Sequence, residues 1–286
     1  MSDFLIGSRY ELYISEEGQS ESQAVKSYAD LYPTDYETVD DSGDDLTGYV
    51  HSVEVGSTVD GPGIRMTIFL TGCPLRCQYC HNPDTWHRHN GKRVTVKEMM
   101  QEIGKYQRSL KISKGGITIS GGEPLLQNEF AAAVFKRTKA LGVHTCVDTS
   151  GRLGDRFTDA QFQDIDLQIL DVKSGEPETY RRVTQHPLEP TLAYAHRLSE
   201  LGRPVGGRFV LVPNLTDDFD NVEKVADIFA GIESLERVEI LRFHQMGIAK
   251  WAQLGLPYPL AQTEPPAAEL AERVREQIRR RGLTVY

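Results

Sequence analysis

The sequence predicts an α/β protein built as an open, partial (β/α)6 barrel, a shortened form of the TIM barrel. Two observations carry this prediction: short apolar runs rich in β-branched residues alternate with longer amphipathic stretches, and six such pairs follow one another. Six units are too few for a closed barrel of eight. No dinucleotide-type glycine fingerprint follows the first run, and a doubly wound sheet is the alternative.

Polar residues end each of the six apolar runs. The predicted strands are 64–72, 116–122, 143–151, 167–173, 207–214 and 237–244. Helical patterns cover about 95–110, 128–141, 158–164, 189–201 and 220–231, with a last one near 266–282. Because strands joined by crossover helices run parallel, their carboxyl ends meet at one edge, where such folds build their sites.

The first part of the chain has a different composition from the rest. Residues 1–47 carry twelve acidic and two basic residues, so their net charge is −10, whereas the whole chain has −9. This stretch has no sustained apolar period and cannot bury enough surface to offset the entropy of ordering. We therefore predict an acidic, disordered extension over 1–47 and one domain over 48–286.

Charge and hydropathy also narrow the partners and the compartment. The domain is close to neutral and lacks the basic face that nucleic acid would require. No apolar run approaches a membrane span, and the first residues do not read as an export signal. We expect a cytoplasmic protein without a membrane partner, in which cysteines usually stay reduced.

Three of the four cysteines, Cys73, Cys77 and Cys80, lie within eight positions after the first predicted strand. Covalent haem attachment normally follows export, and the sequence shows no export signal. A zinc site would need His81 as its fourth ligand, but adjacent residues such as Cys80 and His81 rarely bind one tetrahedral ion. A redox Cys-x-x-Cys pair would leave Cys73 without a role. An iron–sulfur cluster is therefore the favoured interpretation. Cys146, inside the third strand, is expected to be a buried apolar residue. One iron would then stay open for a ligand.

A Gly-Gly-Glu-Pro motif at 121–124 follows the second strand, and together with the cysteine loop it resembles the radical S-adenosylmethionine (SAM) superfamily. In that superfamily three cysteines hold a [4Fe–4S] cluster whose open iron binds SAM. The reduced cluster cleaves SAM to a 5′-deoxyadenosyl radical. The stretches STVDGPGIRMTIFLTGC, CHNPDTW, SGGEPLLQ, ILDVK and FHQMGIAKW are similar to the glycyl-radical-enzyme activases, above all those that act on pyruvate formate-lyase. The resemblance spans about residues 48–286.

The resemblance implies a set of cofactor-binding residues, and it leaves the chemistry to the cluster and SAM rather than to a catalytic side chain. The cluster ligands are expected to be Cys73, Cys77 and Cys80. The residues expected around the cofactors are Tyr79, Cys80, His81, Gly121, Gly122, Glu123, Asp148, Asp171, Val172, Lys173, Arg208 and His244. A monovalent cation beside SAM is expected on Asp148, Thr149, Asp171 and the backbone of Ile169. For Arg208, a structural ion pair in the barrel is the alternative.

The resemblance further implies pyruvate formate-lyase as the protein substrate, a flavodoxin or ferredoxin as the electron donor, and a monomer. Many related activases carry an insert with two more clusters. Here only Cys146 lies outside the loop, and the linker from Trp86 to Thr95 is too short for such an insert. An anaerobic ribonucleotide reductase activase and a non-catalytic iron–sulfur binding module are the remaining alternatives.

Overall fold

The computed structural model of the protein describes residues 43–286. The acidic extension predicted over 1–47 therefore lies almost wholly outside the described residues. Its last positions contact the domain: the backbone N–H of Val96 donates to the carbonyl of Leu46 at 2.8 Å, and Asp44 pairs with Arg137. The domain boundary after residue 47 stays a prediction. Asp44 and Leu46, which precede it, already contact the domain.

One sheet contains all the strands of the described residues. They are β1 (Thr47–Ser57), β2 (Arg65–Leu70), β3 (Lys92–Thr95), β4 (Gly116–Gly121), β5 (His144–Thr149), β6 (Leu167–Asp171), β7 (Val205–Leu211) and β8 (Leu235–Arg242). Their order across the sheet is β3-β1-β2-β4-β5-β6-β7-β8. The strand β1 pairs antiparallel with both β2 and β3, and all later pairs are parallel.

The six parallel strands are the six predicted from the sequence, and they lie side by side in chain order. A doubly wound sheet would reverse that order part-way, so this alternative is wrong. The two outer strands, β3 and β8, do not pair with each other. The fold is therefore the open, partial (β/α)6 barrel, extended at one edge by the antiparallel strands β1 and β3, which the sequence interpretation lacked.

Helices connect the parallel strands. The helices of the described residues are α1 (Val96–Ile112), α2 (Asn128–Ala140), α3 (Asp159–Phe162), α4 (Pro177–Thr184), α5 (Glu189–Glu200), α6 (Phe219–Ala230), α7 (Ile248–Gln253) and α8 (Ala268–Arg279). The sequence predicted all of them except α4 and α7. The first begins with a capping box, in which Thr95 and Glu98 each accept a hydrogen bond from the other's backbone N–H, at 3.1 and 2.7 Å.

The apolar core fills the space between the sheet and the helices. Its residues include Ile68, Ile119, Phe135 and Phe209, none of which is exposed to solvent. Burial of these side chains holds the parallel strands and the helices together, so that the strand ends form a fixed rim. Between residues 43 and 286, no helix combines the length and the apolar character needed to cross a membrane.

The C-terminal residues add hydrogen bonds to the outer side of β8. The N–H of Val238 donates to the carbonyl of Thr284 at 2.8 Å, and the N–H of Tyr286 donates to the carbonyl of Val238 at 3.0 Å. The N–H of Ile240 donates to the carbonyl of Tyr286 at 3.1 Å. Residues 284–286 therefore cover part of the outer side of β8, with which no strand of the described residues pairs.

Candidate functional site

The cysteine loop follows β2 and is held to its neighbours through backbone atoms. The N–H of Cys73 donates to the carbonyl of Trp86 at 3.1 Å, which closes the loop at its base. The indole N–H of Trp251, on α7, donates to the carbonyl of Cys80 at 2.8 Å. The guanidinium of Arg76 donates to the Cys73 carbonyl at 2.7 Å and stacks over the ring of Trp86. The loop is therefore fixed before any ligand is considered.

The end of helix α4 provides a second anchor for this loop. The N–H of Arg76 donates to the carbonyl of Thr184, and the N–H of Gln78 donates to that of Val183, both at 3.0 Å. The carbonyls in the last turn of a helix have no partner within the helix. Here the backbone N–H groups of Arg76 and Gln78 donate to two of those carbonyls. The short helix that the sequence interpretation missed is thus part of the site.

The three loop thiols lie close to one another in a partly apolar environment. Cys77 is buried and Cys73 and Cys80 are half-buried, beside apolar residues that include Leu75. Burial raises the pKa of all three thiols, that of Cys77 to about 12. Neighbouring thiolates raise the pKa of Cys73 and Cys77 further, while the charge of Lys173 opposes the rise for Cys77 and Cys80. Protein alone therefore favours the protonated thiols. A positively charged iron centre would reverse this, because metal binding deprotonates a coordinating thiol.

The fourth cysteine is apart from this group. Cys146 is fully buried in a separate small cluster with Leu167 and Ile169, and burial raises its thiol pKa to about 12. Among residues 43–286, no three His, Cys, Asp or Glu side chains converge as a site for a single metal ion. A cubane cluster does not require such convergence, since each cysteine binds a different iron.

The Gly-Gly-Glu segment ends β4 directly beside the cysteine loop. A Cβ on Gly122 would lie 2.4 Å from the carbonyl oxygen of Gly72, so only glycine permits this close approach. Gly121 has a φ of +111°, in the region that favours glycine. The N–H of Glu123 donates to the same Gly72 carbonyl at 2.8 Å. These contacts place the segment against the backbone that leads into Cys73.

The carboxylate of Glu123 is 1% exposed and accepts hydrogen bonds from the loop after β5. The hydroxyls of Thr149 and Ser150 donate to it at 2.6 and 2.5 Å, and the backbone N–H of Ser150 donates at 3.1 Å. Burial raises the pKa of Glu123, and these hydrogen bonds oppose the rise. Since its oxygens are occupied, Glu123 joins the ends of β4 and β5.

An ion pair lies across the barrel between β5 and β7. Arg208 donates to Asp148 at 2.9 Å, and the second terminal nitrogen of Arg208 donates to the carbonyl of Val59 at 2.8 Å and to Glu239 at 3.3 Å. Burial alone would lower the pKa of Arg208, but Asp148 and other acids hold it above its usual value. The structural ion pair weighed from the sequence is therefore present. Ser120 also donates to Asp148, at 3.0 Å.

A second ion pair forms at the end of β6. The ammonium of Lys173 donates to Asp171 at 2.5 Å and lies 5.5 Å from the centre of the Tyr79 ring. Burial alone would lower the pKa of Lys173, but Asp171, Tyr79 and Cys77 hold it well above its usual value. Val172, which lies between Asp171 and Lys173 in the sequence, is fully buried and packs in the apolar core. Lys173 and Tyr79 thus bring β6 and the cysteine loop together.

The two histidines expected near SAM contact each other although they are far apart in the chain. The rings of His81 and His244 have centres 4.2 Å apart, and Nε2 of His81 lies 3.2 Å from the carbonyl oxygen of His244. His244 lies two residues after Arg242, the last residue of β8. This contact brings the last parallel strand to the cysteine loop.

The residues expected to bind a monovalent cation adjoin one another but have other partners. Asp148 lies opposite Ile169 in the β5–β6 ladder. Asp148 pairs with Arg208 and Asp171 pairs with Lys173. The Thr149 hydroxyl donates to Glu123. The side chains of Thr149 and Asp148 lie on opposite faces of β5, because they are successive residues of a strand. The cation site stays a prediction.

Several buried polar atoms at this rim have no hydrogen-bond partner, and they test whether SAM fits. Among the described residues, these include Tyr79 Oη, Asp171 Oδ1, Arg208 Nε and His244 Nδ1. An unsatisfied buried polar atom costs about 1–3 kcal/mol, and native proteins contain few. Four such atoms, on the cysteine loop, β6, β7 and the segment after β8, lie beside three thiols and fit a polar ligand bound at the cluster. The residues present therefore suit both cofactors.

Sequence reasoning missed the side chains that hold the site together. Trp251, Arg76, Ser120 and His186 contact the loop or the rim, and His186 Nε2 lies 2.9 Å from the carbonyl oxygen of Pro74. Arg76 lies between Cys73 and Cys77, so its position in the sequence could have indicated a role in the cysteine loop. The other contacts join distant parts of the chain and leave no local pattern.

Comparison with known proteins agrees with this geometry. A family model described as a "4Fe-4S single cluster domain" matches residues 59–181. The pyruvate formate-lyase-activating enzyme of Staphylococcus epidermidis is 45% identical over 231 residues, which is 78% of this chain and 92% of the relative. The corresponding enzyme of Staphylococcus aureus is 43% identical with the same coverage.

Solved structures share the fold. A domain of a pyruvate-formate lyase-activating enzyme from Bacteroides vulgatus covers 60% of this chain and 98% of its own, with a TM-score of 0.51 and 24% identity. A radical SAM methyltransferase from Sphaerobacter thermophilus covers 78% of this chain and 65% of its own, with a TM-score of 0.56 and 19% identity. Identity to the staphylococcal enzymes over most of both chains decides the family. The chain belongs to the pyruvate formate-lyase-activating enzymes, radical SAM enzymes that use a [4Fe–4S] cluster and SAM.

Proposed function

We propose that this protein activates pyruvate formate-lyase by removing an α-hydrogen from one of its glycines. The observation that carries the proposal is the group of three loop thiols beside unpartnered polar atoms at the carboxyl ends of the parallel strands. The reduced cluster and SAM, when bound, would supply a 5′-deoxyadenosyl radical, which is reactive enough to take that hydrogen. The protein binds, orients and shields these partners.

The proposed cluster ligands are Cys73, Cys77 and Cys80. The backbone contacts of the loop to Trp86, Trp251 and the end of α4 hold the three thiols in place. This fixed geometry favours one cluster with a defined open side, because the loop does not have to fold around the metal. The second coordination layer is then built by α4 and α7.

The proposed SAM-binding residues surround that open side. Gly121 and Gly122 let the backbone approach the ligand, while Glu123 braces their position. Asp171 Oδ1 and His244 Nδ1 have unused hydrogen-bonding capacity toward it. Tyr79 and His81 offer ring faces for adenine, and Val172 is proposed to contribute through its backbone. Lys173, Asp148 and Arg208 supply charge beside the ligand.

A glycine is a suitable target for such a site. Its Cα carries no side chain, so a peptide loop brings the hydrogen close without obstruction. The barrel is open between β3 and β8, which leaves a side entrance that a closed barrel does not have. The near-neutral domain suits contact with a protein better than with a polyanion.

We also propose that a flavodoxin or ferredoxin reduces the cluster and that the enzyme acts as a monomer in the cytoplasm. Family resemblance supports the donor. A monovalent cation near Asp148 and Asp171 belongs to the same proposal. It would compete with Arg208 and Lys173 for the two carboxylates.

One experiment tests the reaction. Reconstituted, reduced enzyme is mixed without oxygen with SAM and pyruvate formate-lyase that carries deuterium at glycine Cα. We expect a doublet glycyl radical signal in electron paramagnetic resonance, one deoxyadenosine per radical, and deuterium in the deoxyadenosine. Deoxyadenosine without deuterium, or a radical only on an anaerobic ribonucleotide reductase, would refute the proposal. No cleavage of SAM at all would instead favour a binding module.

A further inference from the structure

A second cavity lies at the loop between β5 and α3, and it shares no lining residue with the proposed cofactor site. Its volume is about 470 Å³, within the range of small-molecule sites. One wall is the loop 152–156 and the other is the first part of α5. The cavity opens to solvent, so a ligand reaches it without passing the cofactor site.

The lining of this cavity is basic. Arg152, Arg156 and Arg197 line it, and Asp155 is the acidic residue among the lining side chains. Arg197 is neutralised by Asp159, at 2.5 Å. Within the described part of the chain, neither Arg152 nor Arg156 forms an ion pair. Two guanidinium groups that no carboxylate of the described residues pairs with therefore line one cavity, and that of Arg156 also donates to the carbonyl of Leu126 at 3.4 Å.

Arg152 has an unusual environment for a surface arginine. Its side chain is half-buried, and its Nε is fully buried without any acceptor among the described residues. Buried guanidinium groups are normally paired, because leaving a buried donor unsatisfied costs about 1–3 kcal/mol. A bound anion would satisfy the donor.

The floor of the cavity is apolar and rigid. It is the ring of Tyr194, which is 2% exposed and whose hydroxyl donates to Gln168 at 3.0 Å. A Cβ on Gly151 or Gly154 would lie 2.6 or 2.1 Å from that ring, so the loop is packed directly on it. Leu153 and Pro190 extend the apolar wall. Because the loop covers the Tyr194 ring, the apolar surface that a ligand reaches is Pro190 and Ala193, beside the two guanidinium groups.

We propose that this cavity binds a small organic oxyanion, with the anionic group on Arg152 and Arg156 and the body of the molecule against Pro190 and Ala193. Phosphate and carboxylate groups both match the fork of donors on a guanidinium, so the ligand is a phosphorylated or a carboxylated metabolite. This proposal goes beyond the activation of pyruvate formate-lyase and does not depend on it.

The position of Arg152 gives such a ligand access to the cofactor rim. The backbone N–H of Arg152 donates to the Ser150 hydroxyl at 3.3 Å, and that hydroxyl donates to Glu123 at 2.5 Å. Glu123 directly follows Gly122. An anion bound by Arg152 therefore lies on the loop whose Ser150 hydroxyl holds Glu123, next to the proposed SAM-binding segment.

Calorimetric titration of the full-length, cluster-loaded protein tests the proposal. The probes are inorganic phosphate, glycerol 3-phosphate and malonate, each at constant ionic strength. We expect saturable binding of at least one probe, weakened about tenfold or more in Arg152→Gln. The matched control is Arg108→Gln, which removes the same charge from an exposed position on α1 and should leave binding unchanged. Arg152→Lys, which keeps the charge, should bind with intermediate affinity.

The probes separate the two ligand chemistries. Binding of the phosphates alone assigns a phosphorylated ligand, and binding of malonate alone assigns a carboxylate. Iron content and melting temperature of each variant report whether it has folded, and Arg156→Gln replaces Arg152→Gln if the latter has not. Absence of saturable binding of all three probes, or equal binding by a folded Arg152→Gln or Arg156→Gln, overturns the proposal.

Discussion

The indole N–H of Trp251 donates to the backbone carbonyl of Cys80 at 2.8 Å across 171 positions of sequence. Trp251 also packs edge-on against Trp86, which closes the base of the cysteine loop, with ring centres 5.1 Å apart. Helix α7 therefore holds the last cysteine of the loop by one hydrogen bond and one aromatic contact. This anchor gives the first prediction.

Trp251→Phe should loosen the cysteine loop. The phenyl ring keeps most of the packing but leaves the Cys80 carbonyl without its donor, at a cost of about 0.5–1.5 kcal/mol. We expect faster loss of iron to a chelator in the reconstituted protein. Tyr258→Phe is the control, because it removes from the same aromatic group a buried hydroxyl that has no hydrogen-bond partner within residues 43–286. Equal iron loss in both variants would show that the hydrogen bond does not hold the loop.

The cysteine set gives the second prediction. Cys73→Ser, Cys77→Ser and Cys80→Ser should each fail to assemble the [4Fe–4S] cluster, since all three thiols belong to one loop. Cys146→Ser should keep it, because Cys146 is buried in a separate cluster. Iron and sulfide analysis with electron paramagnetic resonance measures this. A cluster retained in Cys73→Ser and lost in Cys146→Ser would reverse the assignment.

The third prediction concerns SAM affinity. Lys173→Ala and His244→Ala should weaken SAM binding and leave the iron content intact. Loss of one charge-assisted hydrogen bond costs about 1.5–3 kcal/mol, which is about a ten- to hundredfold change in affinity. Lys224→Ala is the control, since it removes a lysine whose ion pair with Glu176 is half exposed. Unchanged affinity in both test variants would remove these residues from the binding site.

The fourth prediction concerns pH and His144. Burial, and the neighbouring Arg65 and Lys139, lower the pKa of His144 despite the opposing charge of Asp166. The unfolded chain therefore binds the proton more readily than the folded one. Stability should fall as the pH drops below about 6.5, the pKa of a free histidine, toward the lowered value.

Urea unfolding at pH 7, 6 and 5 measures this dependence. His144→Gln should flatten the decline in the unfolding midpoint, whatever the variant's stability at pH 7. His196→Gln is the control, because the side chain of His196 is 75% exposed. The assignment fails when His144→Gln keeps the full pH dependence of the parent protein.

The parallel strands and the cysteine loop were predictable because both are written in local patterns. A strand such as Arg65–Leu70 is buried along almost its whole length, so it appears in the sequence as a short apolar run. Three cysteines in one loop are compatible with few kinds of site. Helix α4 has only two turns, too few for a clear period. Strand β1 lies toward the edge of the sheet and is partly exposed, so its apolar signal is weak.

The orientation of single side chains was less predictable than the position of the strand ends. Thr149 and Asp148 were grouped from the sequence, yet successive residues of a strand face opposite sides. In the structure the Thr149 hydroxyl donates to Glu123, and Asp148 pairs with Arg208. The contact between His81 and His244 joins the segments that follow the first and the last parallel strands, and the curvature of the open barrel brings them together.

The pairing of the last three residues with β8 has a practical consequence. An uncovered edge strand is a template on which another chain adds, so detaching Tyr286 from Val238 and Ile240 would open a site for association between molecules. Truncation after Leu283, which removes all three of these hydrogen bonds, should therefore promote aggregation.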